Sequence, residues 1–363
     1  LSAKKKHEGE GMKKNEIRQR EVLRHLVEEY IATGEPVSSK LLCQQYVQNA
    51  SPATIRIDLS KLEKQNLVYQ QHTSAGRVPT IQGYRTYIQQ ISHPLEKLDY
   101  ENNDMLRDIL VKYYHDIPMA LHYIMQLLAK ETDQLSFVAE PEISYGYLEK
   151  LDVFKVGATK LLFVVSLDSG IDKTVILNYD HPITEQQLKA IVRYINDRMA
   201  GRRLYDIQER YLEEMAQKIS EENKLLILFL EELYKVITEI SKYYIHFDGR
   251  ISFLEQPEFD DKSAILRFLG FIQRQDQLVG MMQKHDKESA QYNVLLGEDF
   301  CETDMANYSL VYARYEIFGV PGYLGILGPA RMNYRRNIPI IRDMAKIITN
   351  TTNKGIVVSK HER

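Results

Sequence analysis

Tryptophan is absent from the 363 residues, and cysteine occurs only at Cys43 and Cys301. Two distant thiols without ligand spacing exclude a disulfide framework and a cysteine-rich zinc site. No apolar run approaches the ~18–20 residues needed to cross a bilayer; the longest, LLILFL at 225–230, ends on two glutamates. Lys4, Lys5 and Lys6 are not followed by an apolar segment, so no secretory signal is read there. The chain opens on leucine, with Met12 just ahead of the first patterned segment, so residues 1–11 read as a tail or a misassigned start. The expected compartment is the cytoplasm, without membrane contact. Catalytic signatures are missing as well: there is no HExxH and no GxSxG. Gly322, Gly325 and Gly328 lack a following P-loop lysine and read as strand-to-turn glycines. His115 and His122 have no carboxylate partner in sequence. The expectation is a protein that is not an enzyme and carries no cofactor and no metal.

What is present is an uneven charge. Residues 1–90 hold 14 Lys and Arg against 9 Asp and Glu, leaving 33 against 41 in the remainder, for a net −3 overall. A basic head on an acidic body is the asymmetry of a chain in which one domain meets phosphates.

The head carries helical punctuation. Leu23, Leu26, Val27, Tyr30 and Ile31 fall on one helix face, with Asn15 as a candidate cap and Gly34 as a candidate terminator. Ser38 or Ser39 caps a short second helix that holds Cys43 as a small core residue. Ser51 caps a third helix with Pro52 in its first position, and Ile55, Leu59 and Leu62 face inward. Ala53, Thr54, Arg56, Ile57, Ser60 and Lys61 are left on the flanks and far side. Small residues at a helix start permit close entry into a major groove. After Asn66 the pattern becomes strand, turn and strand: LVYQQ, HTSAGR, then Val78 onward. This predicts a winged helix-turn-helix that binds duplex DNA. Its DNA-contacting set is Ser51, Ala53, Thr54, Arg56, Ile57 and Lys61, with Ser39 at the start of the second helix. His72, Ser74 and Arg77 of the wing complete it, Arg77 being placed at the tip beside Gly76. A helix from Ile81 to Ile91 closes the head at His93-Pro94.

EYIATGEPVSSKLL, SPATIR and above all QQHTSAGRVPTIQGYRTY resemble the HrcA family of heat-inducible transcription repressors. SLVYARY (309–315), GILGPARMNY (325–334) and, more weakly, IHFDGRISFLEQPEF (245–259) extend the resemblance from about residue 15 to 350. One departure stands out: the family usually has asparagine where this chain has Ile57. The resemblance implies a GAF-like α/β domain interrupted by an inserted dimerising domain. It further implies a homodimer on an inverted-repeat operator of the CIRCE type ahead of chaperone operons, kept active by the GroE chaperonin.

The expected fold class is α+β and multidomain. The expected layout is a tail (1–14), a winged helix (15–93), a leading GAF-like segment (94–203), an inserted dimerising domain (204–288), a returning GAF-like segment (289–350) and a tail (351–363). Within it, residues 95–140 read as helical, LLFVVSL and TVILN as a hairpin across Asp168-Ser169-Gly170, and 184–199 as a helix. The stretch from Leu204 to Tyr244 reads as strongly helical, strands resume near Tyr292, Ser309 and Tyr323, and a last helix spans Ile338–Ile348. The rival function is a ligand-gated regulator whose GAF-like domain binds a small effector.

Overall fold

The computed structural model describes residues 14–46, 50–71, 76–95, 103–113, 116–141, 143–207, 211, 224–240, 244–249, 251–287, 290–300 and 305–353. It is a mixed fold of helices and three antiparallel sheets.

The head contains α1 (Lys14–Thr33), α2 (Ser39–Gln45) and α3 (Pro52–Lys64), then β1 (Val68–Tyr69), β2 (Val78–Pro79) and α4 (Ile81–Leu95). Gly34 ends α1 at φ +71, its N–H returning to the Tyr30 carbonyl at 2.8 Å, the left-handed terminator expected of glycine. Asn15 lies inside the first turn of α1 and not before it. Ser38 caps α2 by accepting the Leu41 N–H, and Ser51 caps α3 by accepting that of Thr54. Leu23, Leu26 and Val27 of α1, Leu42 of α2 and Ile55, Leu59 and Leu62 of α3 are all buried in one core. Asn49 and Cys301 lie outside the described residues.

The helix expected from Ile81 to Ile91 runs four residues further. α4 continues through Pro94 to Leu95, and its Tyr84, Tyr87, Ile88 and Ile91 enter the same core as the body's last helix.

The body opens with α5 (Asn103–Lys112) and α6 (Ile117–Thr132), and then departs from the expected helix: Leu135–Ala139 is a strand, β3. Asp133 at φ +53 ends α6 and turns the chain directly into β3. β3 sits inside a five-stranded sheet of order β7-β3-β10-β9-β8, with β7 Ile245–Asp248, β8 Asn293–Leu296, β9 Tyr308–Ile317 and β10 Val320–Pro329. β9 and β10 join across Phe318 and Gly319, both at positive φ, the two-residue turn whose twist suits a tight hairpin. The sheet is buried on both faces, and its strands alternate between two cores. Val311, Ala313, Tyr315 and Ile317 face α6 and the last helix, Tyr334–Asn353. Leu310 and Tyr312 face an aromatic layer of Phe253, Phe259, Phe268, Phe271 and Phe300.

A separate core belongs to a second unit. β4 (Leu148–Lys155), β5 (Lys160–Leu167) and β6 (Asp172–Asn178) form a meander packed on α7 (Glu185–Met199) and α8 (Lys224–Ile240). Asn196 of α7 fastens the β4 edge, its amide exchanging two 2.8 Å hydrogen bonds with the backbone of Leu151. The unit leaves and rejoins the central sheet at neighbouring strands: Ala139 is paired with Ile245, and the Glu140 N–H reaches the Tyr244 carbonyl at 2.9 Å. The self-contained core thus runs from 143 to 240, not from 204 to 288. β7 and two helices, Lys262–Gln273 and Gln275–His285, serve the central sheet instead. With the short helix Ile251–Leu254 as α9, these two are α10 and α11, and the last helix is α12.

Among the described residues no helix is long and apolar enough to cross a membrane.

Candidate nucleic-acid interface

The outward face of α3 follows from what its inward face must bury. Ile55, Leu59 and Leu62 fix one side of the helix in the core. Asp58 shares that side and is fully buried. A buried carboxylate is tolerable only when it is paired and hydrogen-bonded, and α1 supplies both needs. Arg18 Nε lies 2.6 Å from Asp58 Oδ2, Arg18 Nη2 lies 3.3 Å from Oδ1, and Gln19 Nε2 donates to Oδ1 at 3.1 Å. The hydrogen bond to Asp58 pushes the Arg18 guanidinium above its ordinary pKa. This clamp sets the rotation of α3 about its axis.

Away from the buried side stand Ala53, Arg56, Ile57 and Lys61, all exposed. Arg56 Nε donates to Ser39 Oγ at 3.3 Å, linking the start of α2 to α3. The Ser51 hydroxyl is spent on the cap, with Thr54 Oγ1 2.9 Å away. Ser39, Ser51, Ala53, Thr54, Arg56, Ile57 and Lys61 are therefore brought onto or beside one surface.

The hairpin differs from expectation. His72 and Ser74 lie outside the described residues. Gly76 and Arg77 lie just before the return strand, where the chain crosses the α1–α2 connector. Arg77 and Val37 exchange backbone hydrogen bonds of 2.9 Å each. A Cβ on Gly76 would sit 2.5 Å from the Val37 carbonyl carbon, so glycine is required by close approach. The Arg77 guanidinium folds onto Glu63 of α3 at 3.0 Å, with its side chain only 18% exposed. Sequence patterning missed Asp58 and Glu63 as structural acids. Asp58 was detectable, because a charge three residues after Ile55 and four before Leu62 interrupts an apolar stripe.

A cleft of about 750 Å³ separates head and body, lined by Glu28, Tyr87, Gln134, Arg331 and Arg335 among others. Its cations are engaged: Arg331 grips Glu258 at 2.5 and 3.1 Å, and Arg335 meets Glu28 at 3.4 Å. Burial raises the Glu28 carboxyl, but its hydrogen bond with His25 and the nearby arginines outweigh this and leave it below the usual range. Arg336 faces Asp133 at 3.9 Å. Gly322, Gly325 and Gly328 lie within β10 and not at its turn; a Cβ on Gly325 would run into the Val311 carbonyl oxygen. The Cys43 thiol donates to the Ala50 carbonyl. His115 lies outside the described residues, and no group of three or more His, Cys, Asp or Glu among those described is arranged to hold a metal ion.

Residues 119–338 match the family described as HrcA protein C terminal domain. The chain is 29% identical to the heat-inducible transcription repressor HrcA of Moorella thermoacetica, over 92% of this chain and 97% of that protein. It is also 29% identical to the HrcA of Natranaerobius thermophilus, over 93% and 97%. A crystal structure of a hypothetical protein shares the fold at a TM-score of 0.57 and 22% identity, covering 92% of this chain and 98% of that one. The two HrcA relatives set the chain among transcription repressors. Since the matched segment spans more than half of its length, the chain belongs to the HrcA family.

Proposed function

We propose that this chain is a heat-inducible transcription repressor whose head, residues 15–93, is a winged helix that reads duplex DNA. The observation that carries this reading is the division of α3: an inner face held by the Asp58 clamp, and an outer face of small, basic and exposed residues from Ala53 to Lys61. Arg56 and Lys61 supply cations on that face whose counterion release drives association.

The body is read as a GAF-like domain with one insertion. Antiparallel order, helices against both faces and a single excursion between β3 and β7 support this reading. On these contacts the GAF-like segments are 94–139 and 245–350, and the inserted domain is 140–244. That domain is read as the dimerising one. Its sheet turns α7 and α8 one face and leaves Phe154 and Ile176, 53% and 59% exposed, on the other. Two heads on one dimer suit an inverted repeat, because paired half-sites multiply affinity and set spacing.

By family resemblance the operator is of the CIRCE type, ahead of chaperone operons, and the GroE chaperonin maintains the active fold. The test is retardation of a labelled inverted repeat by the full chain, with and without chaperonin. Correctly folded protein that retards scrambled duplex equally well would end the reading. The rival, a repressor gated by a small effector, has the cleft between head and body in its favour. A saturable rise in melting temperature with one metabolite would favour it.

A further inference from the structure

We propose that Ile57 reads the C5-methyl group of a thymine in the major groove. The inference rests on the reading of α3 as the groove-entering helix. Ile57 is 59% exposed, more than Ile17, Tyr46 or Tyr69, the other exposed large apolar side chains described in the head. On a 3.6-residue repeat it stands about 200° from Ile55, at the centre of the outward face. Its neighbours on that face are Ala53 four residues before and Lys61 four after, both exposed. Ala53 leaves room for the groove wall to approach, and Lys61 brings charge toward the backbone. No second large apolar side chain of α3 is exposed, so the face is not a patch of the kind that proteins dock on.

An isoleucine offers no hydrogen bond to a base edge. Of the groups presented in the major groove, the thymine methyl is the one that an alkyl side chain complements. Two features make Ile57 suited to position-specific contact. Its neighbour Asp58 is tied to Arg18 and Gln19, so α3 cannot roll to bury Ile57 without breaking the clamp. A β-branched residue in a helix also keeps essentially one χ1 rotamer, so the methyl groups of Ile57 occupy a defined place relative to the backbone of α3.

The experiment starts with selection of duplexes from a random library by the full chain. Each thymine of the selected duplex is then replaced singly by uracil, which removes the methyl and nothing else. At one position per half-site the swap weakens binding roughly three- to fivefold, the effect of one buried methyl. Ile57→Ala binds the thymine duplex about as weakly as wild type binds the uracil one, and does not distinguish the two. A melting temperature equal to wild type confirms that this exposed substitution leaves the fold intact. A flat uracil scan overturns the assignment, as does an Ile57→Ala chain that keeps the methyl preference. In either case the selected duplex is still bound, and the reading of the head survives. Failure of wild type to enrich any duplex would remove the head reading and this inference together.

Discussion

Arg18 and Asp58, forty positions apart, meet at 2.6 Å and tie the first helix to the third. Asp58 has no exposed surface, whereas the Arg18 side chain keeps about a quarter of its own. Removing one partner of such a pair strands the other, and that is the costly operation. Asp58→Ala is expected to lower stability by about 2–4 kcal/mol in urea unfolding. The double variant with Arg18→Ala should cost less than the sum of the single ones. Additive losses would mean that the two side chains stabilise the head independently.

Glu140 gives the body an acid-sensitive joint. Burial raises its carboxyl, but hydrogen bonds from Lys173 at 2.5 Å and His246 at 2.8 Å outweigh that and leave it below the usual carboxylate range. A depressed folded-state value contributes stability that is complete above the unfolded value, ~4.3, and is lost as pH falls through the folded one. The urea midpoint should therefore fall as the pH drops below about 4.3. Glu140→Gln should lower the midpoint at neutral pH and soften the acid decline. Parallel curves for the two proteins below pH 5 would assign the decline to other groups.

Two glycines should respond oppositely to alanine. Gly270 lies within α10 with nothing inside 4 Å of an added Cβ, so Gly270→Ala should add about 0.5–1 kcal/mol through helix propensity. At Gly76 the added carbon meets the Val37 carbonyl, and the hairpin must move away from the α1–α2 connector. Gly76→Ala should melt earlier and bind duplex DNA more weakly. An unchanged melt at Gly76 would mean that the crossing of hairpin and connector is loose.

Legibility in the sequence followed the range of the forces involved. The caps at Ser38 and Ser51, the Gly34 terminator and the β5–β6 hairpin around Gly170 were readable, because each is decided within a few residues. β3 was not: LSFVA follows α6 after only two residues, and it is a strand because β7 and β10 flank it. The same pairing, Ala139 with Ile245, sets the limits of the second unit across more than a hundred residues, which no local pattern encodes. In the candidate site, the outward residues of α3 could be counted off by periodicity. Arg77 could not be placed, because its partner Glu63 lies on another element and draws its guanidinium onto α3.

Salt dependence separates the two cations that patterning had grouped. Lys61 is exposed on the outer face of α3, so Lys61→Ala should reduce the slope of log K against log salt by roughly one unit. Arg77 is already neutralised by Glu63 and braces the hairpin. Arg77→Ala should weaken binding to selected and random duplexes alike while leaving the slope unchanged. A slope reduced by Arg77→Ala would show that the guanidinium leaves Glu63 for a phosphate on binding.

The exposed row on the second sheet bears on assembly. Phe154 pairs with Leu162, and Leu162 with Ile176, so the three side chains lie side by side across β4, β5 and β6. The opposite face is already covered by α7 and α8. Apolar neighbours aligned across three strands form a contiguous surface, and under the proposed reading of two heads on an inverted repeat a second copy is the partner that would cover it. Ile176→Asp places a charge at the edge of that row without touching the buried core. Sedimentation equilibrium should show wild type as a dimer and Ile176→Asp shifted to monomer, with an unchanged circular dichroism spectrum. Because the two half-sites act jointly, the monomeric variant should lose far more affinity for a full inverted repeat than for a single half-site. A variant that stays dimeric, or that loses affinity equally on both duplexes, would move the dimer seam elsewhere on the molecule.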